Sequence, residues 1–296
     1  DNSTYEVINP ATEEVLGHAS KATPADVEKA LKSSEQGLQV WKKITPWQRA
    51  YILRKIADKI REKKDVLAKW MTLENGKPLA EGVGETNGAA DIFEWNAEET
   101  KRIYGQIVES RFEDTRVHVY YQPIGVVAAL SPWNFPLVMA AWKIAPSLAV
   151  GCSAVIKPAE QTPLSTIRLA ELMQEAGVPD GVINILPGYG ETAGKAIGMH
   201  NDIDTVSFTG SSEVGRMFMR YSGDSNLKGV GLEMGGKSPF IVLEDAILDD
   251  ELIEHAAMSA FWNGGQNCSA NMRQLIAAPL VDEFTRRIIE RVKAFK

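Results

Sequence analysis

The sequence predicts an α/β protein. A doubly wound parallel sheet flanked by helices carries a β-hairpin arm and is followed by the opening of a second α/β unit. Three observations predict it. From residue 125 onward, short apolar runs alternate with stretches of helical periodicity, the pattern of parallel strands joined by crossover helices. Those runs end in turns of Gly, Pro and Ser that carry polar residues. The chain has 296 residues, 44% hydrophobic and 24% charged, an ordinary globular composition at a length natural for two domains.

The first part reads as helical. Thr23-Pro24-Ala25-Asp26 opens a helix with a cap and a proline at the first helical position, and Thr45-Pro46-Trp47-Gln48 opens a second, longer one in the same manner. In the latter, Ile52, Leu53, Ile56, Ala57, Ile60 and Leu67 follow helical spacing, with Arg54, Lys55, Lys59 and Lys63 on the other side. Residues 105–124 differ: Val117-His118-Val119-Tyr120-Tyr121 is β-rich, ends at Pro123 and reads as an extended arm. Gly125-Val126-Val127-Ala128-Ala129-Leu130 is then a strand, and a helix follows Pro136. Ala154-Val155-Ile156 is a second strand, and Thr162-Pro163 caps a helix that stops at Gly177. Val182-Ile183-Asn184-Ile185-Leu186 and Thr205-Val206-Ser207-Phe208 are the third and fourth strands. The domain reading is 1–104 with 125–234 as a nucleotide-binding domain, 105–124 as a hairpin, and 235–296 as the start of a second domain.

Charge and composition exclude several function classes. The formal net charge is −7, which disfavours a phosphate backbone or an anionic membrane as partner. The densest basic cluster, Arg61-Glu62-Lys63-Lys64, reads as a solvated helix face. No apolar run approaches the ~18 residues that span a bilayer. The polar start lacks a signal-peptide core and a Met, so trimming fits. Two cysteines make no disulfide framework and point to a reducing cytoplasm. No metal-ligand spacing stands out. The four histidines lie near no nucleophile-elbow motif, which leaves a Ser-His-Asp hydrolase little support.

The chemistry concentrates in Asn263-Gly264-Gly265-Gln266-Asn267-Cys268-Ser269 and in Gly231-Leu232-Glu233-Met234-Gly235-Gly236-Lys237. A thiol in a glycine-flanked loop and a carboxylate are the minimum kit for covalent acyl chemistry. Taken alone, Cys268 reads equally as a structural thiol; its turn-forming neighbours, which let backbone N–H groups approach a reacting oxygen, favour the nucleophile. Cys152, in an apolar run, reads as buried and structural. Three strand ends suit a nucleotide. The first strand runs into Ser131-Pro132-Trp133-Asn134-Phe135-Pro136, the second into Lys157-Pro158-Ala159-Glu160, and the fourth into Thr209-Gly210-Ser211-Ser212-Glu213-Val214-Gly215. The last is a glycine turn opening a helix, G-x-x-x-x-G rather than G-x-G-x-x-G, and weak by itself. Lys157 and Glu160 strengthen it, although the pair also reads as an exposed i, i+3 ion pair. An acidic residue at a strand end bonds ribose hydroxyls and repels a 2′-phosphate, which favours NAD over NADP.

Five blocks in order, Pro132-Trp133-Asn134-Phe135-Pro136, Lys157-Pro158-Ala159-Glu160, Phe208-Thr209-Gly210-Ser211, Leu232-Glu233-Met234-Gly235-Gly236-Lys237-Ser238-Pro239 and Gly265-Gln266-Asn267-Cys268, resemble the NAD(P)-dependent aldehyde dehydrogenase superfamily. The resemblance implies a Rossmann-like nucleotide-binding domain and a mechanism. Cys268 would attack an aldehyde carbon, and Asn134 with the Cys268 N–H would hold the oxyanion. Hydride would pass to NAD, and Glu233 would activate the water that hydrolyses the thioester, provided partial burial raises its pKa; Lys143 would assist proton transfer. Ser131, Pro132, Trp133, Lys157, Glu160, Gly190, Phe208, Gly210, Ser211, Val214, Met234 and Gly235 would line the cofactor site. Phe135, Met139 and Trp142 would face the aldehyde, or else form an ordinary apolar helix face. The segment 105–124 resembles the family's oligomerisation hairpin, which implies a homodimer or homotetramer. Residues 94–105 are similar to the succinate-semialdehyde branch, whereas Ser269-Ala270-Asn271-Met272-Arg273 is less typical of it, so the lean is toward a semialdehyde or aminoaldehyde.

Family chains continue well past Lys296, through most of a catalytic domain and its Glu-Ile-Phe-Gly-Pro motif. The expectation is a truncated product or one completed by a separate segment. Two alternatives stand beside the dehydrogenase: an inactive dinucleotide-binding fragment, and a CoA-acylating relative, against which Glu233 argues.

Overall fold

The structure, a computed structural model, describes residues 3–295. The chain separates into a first unit ending at Glu233 and a second beginning at Met234.

The first unit opens on an antiparallel hairpin, β1 (Thr4–Ile8) with β2 (Val15–Ser20), which the helical reading of the N-terminal part did not contain. Four helices follow: α1 (Pro24–Trp41), α2 (Pro46–Glu62), α3 (Lys64–Asn75) and α4 (Leu79–Thr100). Thr23 with Asp26 and Thr45 with Gln48 form reciprocal capping boxes at the starts of α1 and α2. Two expectations are corrected here. With 18 residues α1 is the longer of the pair, α2 having 17. Leu67 belongs to α3, because Lys63 leaves helical geometry between the two helices. The basic cluster 61–64 thus sits on a helix junction, and Arg61 bonds Asp91 and Glu94 of α4.

The arm is an antiparallel hairpin of β3 (Gln106–Glu109) and β4 (Arg116–Val119), exposed along both strands. The α/β region then runs β5 (Val126–Leu130), α5 (Pro136–Val150), β6 (Ser153–Lys157), α6 (Leu164–Ala176) and β7 (Ile183–Ile185). After a π-helical turn at 190–194 come α7 (Lys195–Met199), β8 (Thr205–Gly210), α8 (Ser212–Gly223) and β9 (Gly229–Met234). The sheet order is β7-β6-β5-β8-β9, so a fifth strand adds to the four the apolar runs predict. The β5–β6, β5–β8 and β6–β7 pairs are parallel.

Burial on both faces explains why β5 and β6 are continuous apolar runs. Val127, Ala129, Ala154 and Ile156 point into a core with α2, α3, α4, α5 and α6. Val126, Ala128, Leu130 and Val155 point into a second core with α1, α7 and α8. Strand periodicity of two thus feeds two separate cores from one sheet. Among the described residues no helix is long and apolar enough to cross a membrane.

The second unit pairs β10 (Pro239–Val242) in parallel with β11 (Arg273–Ile276), joined through α9 (Asp250–Phe261), and ends in α10 (Val281–Lys293). Its core is small: Val242, Leu248, Ile253, Ala256 and Phe284.

Candidate functional site

The strand order of the first unit's sheet reverses beside β5. The chain leaves β5 toward β6 on one side and leaves β8 toward β9 on the other. Ligands of open α/β sheets bind at the carboxyl ends of strands at such a switch point. Segment 131–136 follows β5, Thr209 and Gly210 end β8, and Lys157 ends β6, so these residues lie at the carboxyl ends of three adjacent parallel strands.

Lys157 is buried, and its Nζ donates to Pro158 O at 3.0 Å and to Glu160 Oε2 at 3.2 Å. Burial pushes its pKa down, against the attraction of Glu160. The exposed-ion-pair reading fails on this point, since only Glu160 is part-exposed. A carboxylate pinned at the end of β6 suits ribose hydroxyls, and the N-terminus of α8 at the end of β8, on the other side of β5, suits a diphosphate. There Ser211 Oγ accepts the N–H of Val214 at 3.2 Å, and Ser211 and Val214 are exposed. This donor set fits a dinucleotide. Gly210 has a bland reason to be glycine: a Cβ there would stand 2.5 Å from the Phe208 ring. Phe208 itself turns into the core, 5.0 Å from Phe218. Gly190 opens the π-helical turn with open space where a side chain would be. Ser131 is buried and Pro132 half-buried, while Trp133 is largely exposed.

Lys143 lies buried on α5 and donates from Nζ to Thr209 Oγ1 at 2.6 Å. Burial lowers its pKa to about 8, with the Glu233 carboxylate pulling the other way. Glu233, on β9, is exposed, so the partial burial expected of it is not found. Asn134 is half-buried just before α5, and Phe135 is buried at the start of that helix. Met139 is half-buried and Trp142 is 62% exposed, so the expected aldehyde face runs from core to solvent along α5.

Several residues that matter here escape the sequence motifs. Lys77 Nζ donates to Asn134 O at 2.8 Å and pairs with Glu85, whose other oxygen accepts Leu137 N at 2.9 Å and Val138 N at 3.0 Å. Asn75 Nδ2 donates to Trp133 O at 2.9 Å, and Thr162 Oγ1 to the same oxygen at 3.3 Å. Thr162 was expected to cap α6; instead Glu74 accepts Leu164 N at 2.7 Å and Ser165 N at 3.0 Å. The available signal was an acid on the apolar face of α4: Glu85 shares its face with the buried Ala89 and Phe93.

In the second unit, Cys268 is exposed, and Cys152 of the first is buried; both are free thiols. The loop before Cys268 takes three successive left-handed residues, Asn263 (φ 58°), Gly264 (φ 62°) and Gly265 (φ 75°). Asn263 Nδ2 donates to Gln266 O at 3.2 Å, and Asn267 Oδ1 accepts Ser269 N at 3.1 Å and Ser269 Oγ at 3.0 Å. These local bonds raise the thiol on a compact turn. Met234 and Gly235, also exposed, begin this unit.

A model of the aldehyde dehydrogenase family matches residues 1–296. Aldehyde dehydrogenase 1A1 of Mus musculus is 42% identical over 295 residues, covering 98% of this chain and 58% of the mouse protein. A crystal structure of an NADP-dependent enzyme of E. coli is 42% identical with TM-score 0.95, covering 98% of this chain and 60% of that one. PnpE of Pseudomonas sp. WBC-3, in complex with nicotinamide adenine dinucleotide, is 37% identical with TM-score 0.96, covering 99% and 60%. The chain therefore spans less than two thirds of the length of these relatives.

Proposed function

The chain belongs to the aldehyde dehydrogenase family, and on that premise we propose that it supplies the nucleophile, the base and the dinucleotide cradle for oxidising an aldehyde to a carboxylic acid. The observation that carries the reading is the exposed Cys268 thiol, raised on a loop of consecutive left-handed residues. A thiolate is a strong nucleophile toward a carbonyl carbon, and an exposed one is available to substrate. The Asn134 amide and the Cys268 N–H hold the oxygen as its charge develops. The residues at the ends of β5, β6 and β8 would hold a nicotinamide dinucleotide, which when bound would supply the hydride acceptor for the former aldehyde carbon. Glu233 then accepts a proton from water, the water oxygen bonds to the thioester carbon, and the Cys268 thiolate leaves. Lys143, with a pKa near 8 and Glu233 as its charged neighbour, gives or takes a proton at Nζ.

Glu160 and Lys157 hold the adenosine ribose, the α8 N-terminus with Ser211 faces the diphosphate, and Phe135, Met139 and Trp142 receive the aldehyde. The Glu160 carboxylate opposes a 2′-phosphate, so NAD is the preferred dinucleotide. Glu160→Gln is expected to narrow the NAD-over-NADP preference about tenfold or more in dissociation constants measured by fluorescence; an unchanged ratio removes Glu160 from that role. The substrate class we favour is a semialdehyde or aminoaldehyde. The exposed β3–β4 hairpin, with Ile107 and Val117, is taken up by another copy in a dimer or tetramer. A reducing compartment, the cytoplasm, keeps the Cys268 thiol available.

The test is NADH absorbance with the full-length protein, NAD and an aldehyde panel that begins with succinate semialdehyde, beside Cys268→Ala. Signal at 340 nm lost in the variant is expected. Equal signal in both rejects Cys268 as nucleophile, and no signal with any aldehyde while NAD binds points to a cofactor module. Turnover that requires CoA and yields an acyl-CoA assigns the thioester to a CoA-acylating relative instead.

A further inference from the structure

We infer that the buried Lys77–Glu85 ion pair is a positioning device for the oxyanion-holding Asn134; the inference rests on the reading of Asn134 given above. Both side chains are removed from solvent, at 0% and 1% exposure. Burying two charges is expensive, and a pair of well-packed apolar residues would cost less. Something other than stability therefore explains the pair, and its bonds say what. Lys77 Nζ holds the carbonyl of Asn134 at 2.8 Å. Glu85 Oε1 holds the N–H groups of Leu137 and Val138, the residues that follow Pro136 in the first turn of α5. One ion pair thus grips the chain on both sides of the Asn134-Phe135-Pro136 step.

The cap position of α5 is Phe135, which makes no side-chain cap bond, and Pro136 has no N–H to give. Glu85 performs the capping from another helix, with a full negative charge at the positive end of α5. The Lys77 ammonium also lies 4.6 Å from the centre of the Phe135 ring, which adds a cation–π contact. Asn75 and Thr162 fix the preceding carbonyl, that of Trp133. The backbone of 133–138 is held at four points, residues 133, 134, 137 and 138, so the Cα–Cβ direction of Asn134 is set by α3, the turn after it, α4 and the segment before α6. An oxyanion donor loses most of its value when displaced by about 1 Å, and the loss appears in kcat more than in substrate binding.

The experiment compares Lys77→Met, Glu85→Gln and the double variant Lys77→Met/Glu85→Leu with the parent in the full-length protein. Melting temperature, NAD affinity and the iodoacetamide reaction rate of Cys268 are measured beside kcat and KM. The single variants are expected to lower kcat about tenfold to a hundredfold with KM changed less than threefold. The double variant, with no unpaired charge, is expected to regain melting temperature without regaining kcat. In an Asn134→Ala background, Lys77→Met is expected to cost no further kcat. Amide exchange at Leu137 and Val138 is expected to accelerate in Glu85→Gln, a readout that needs no turnover.

A double variant that recovers both stability and kcat overturns the inference, as does a Lys77→Met loss that adds fully to that of Asn134→Ala. A parent that binds NAD but forms no NADH defeats the dehydrogenase reading itself. A parent that turns over while the variants match it defeats only the positioning role.

Discussion

At the scale of single residues, the first unit keeps its unusual ionisable groups inside. Glu74 is 2% exposed, and burial raises its pKa to about 7 despite the two backbone bonds that favour the charged form. An acid whose folded pKa exceeds its unfolded value stabilises below the unfolded value and loses that contribution as pH rises through the folded one. The window here is about 4.5 to about 7, and the loss is on the order of 3 kcal/mol across it. Glu74→Gln is expected to flatten stability against pH in that window, measured by urea unfolding at half-unit steps; an unaltered slope assigns it elsewhere. The same residue shows where sequence reading ran out. Thr162-Pro163 has the form of a local cap, and the local rule lost to a carboxylate about ninety positions upstream in the chain. The turn before Cys268, by contrast, was legible, because its glycine-rich sequence announces a backbone that adopts left-handed angles.

At the scale of elements, close packing overrides propensity. Gly37 lies inside α1, where alanine is ordinarily worth about 1 kcal/mol more than glycine. A Cβ there would stand 2.3 Å from the backbone of Gly181 and Val182, so the helix touches the turn just before β7 main chain to main chain. Gly37→Ala is expected to destabilise by about 1–3 kcal/mol, read from the denaturation midpoint; a stabilised variant shows that α1 can move away without cost. The elements that the sequence declared most clearly were those with strong local chemistry. The capping boxes of α1 and α2 and the uniformly apolar β5 and β6 are examples. The missed elements have weak local signals. In β9, Gly229 and Gly231 interrupt the pattern and exposed positions dominate. In the β1–β2 hairpin only Tyr5, Val7 and Ala19 are buried. The break between α2 and α3 leaves no proline or glycine as a mark, because Lys63 alone departs from helical angles.

At the scale of the whole molecule, the two units differ in what holds each of them. The first has two cores on either side of one sheet, with Trp41, Phe93, Leu53, Ile56 and Leu137 fully buried. The second has a core cluster of only five buried hydrophobic residues beside a two-stranded parallel sheet, with Ala257 and Ala270 buried outside that cluster. Small domains remove too little apolar surface from water to outweigh chain entropy, and an isolated pair of strands leaves edges unpaired. Residues 1–233 expressed alone are expected to unfold cooperatively, whereas 234–296 alone are expected to show no cooperative transition by circular dichroism. Cooperative melting of the shorter piece would assign its stability to local helix formation in α9 and α10.

The loop that carries Cys268 has a consequence at the level of the gene. A glycine codon changes by one nucleotide to codons for Ala, Val, Asp, Glu, Ser, Arg, Cys or Trp, nearly all of which resist left-handed backbone angles. Gly264 and Gly265 both hold such angles, and Asn263 before them is a residue that tolerates them. Point mutation therefore has almost no neutral step at these codons, Asn263 to Asp being the mildest available. Drift around the thiol is confined by the backbone before selection for chemistry acts on it.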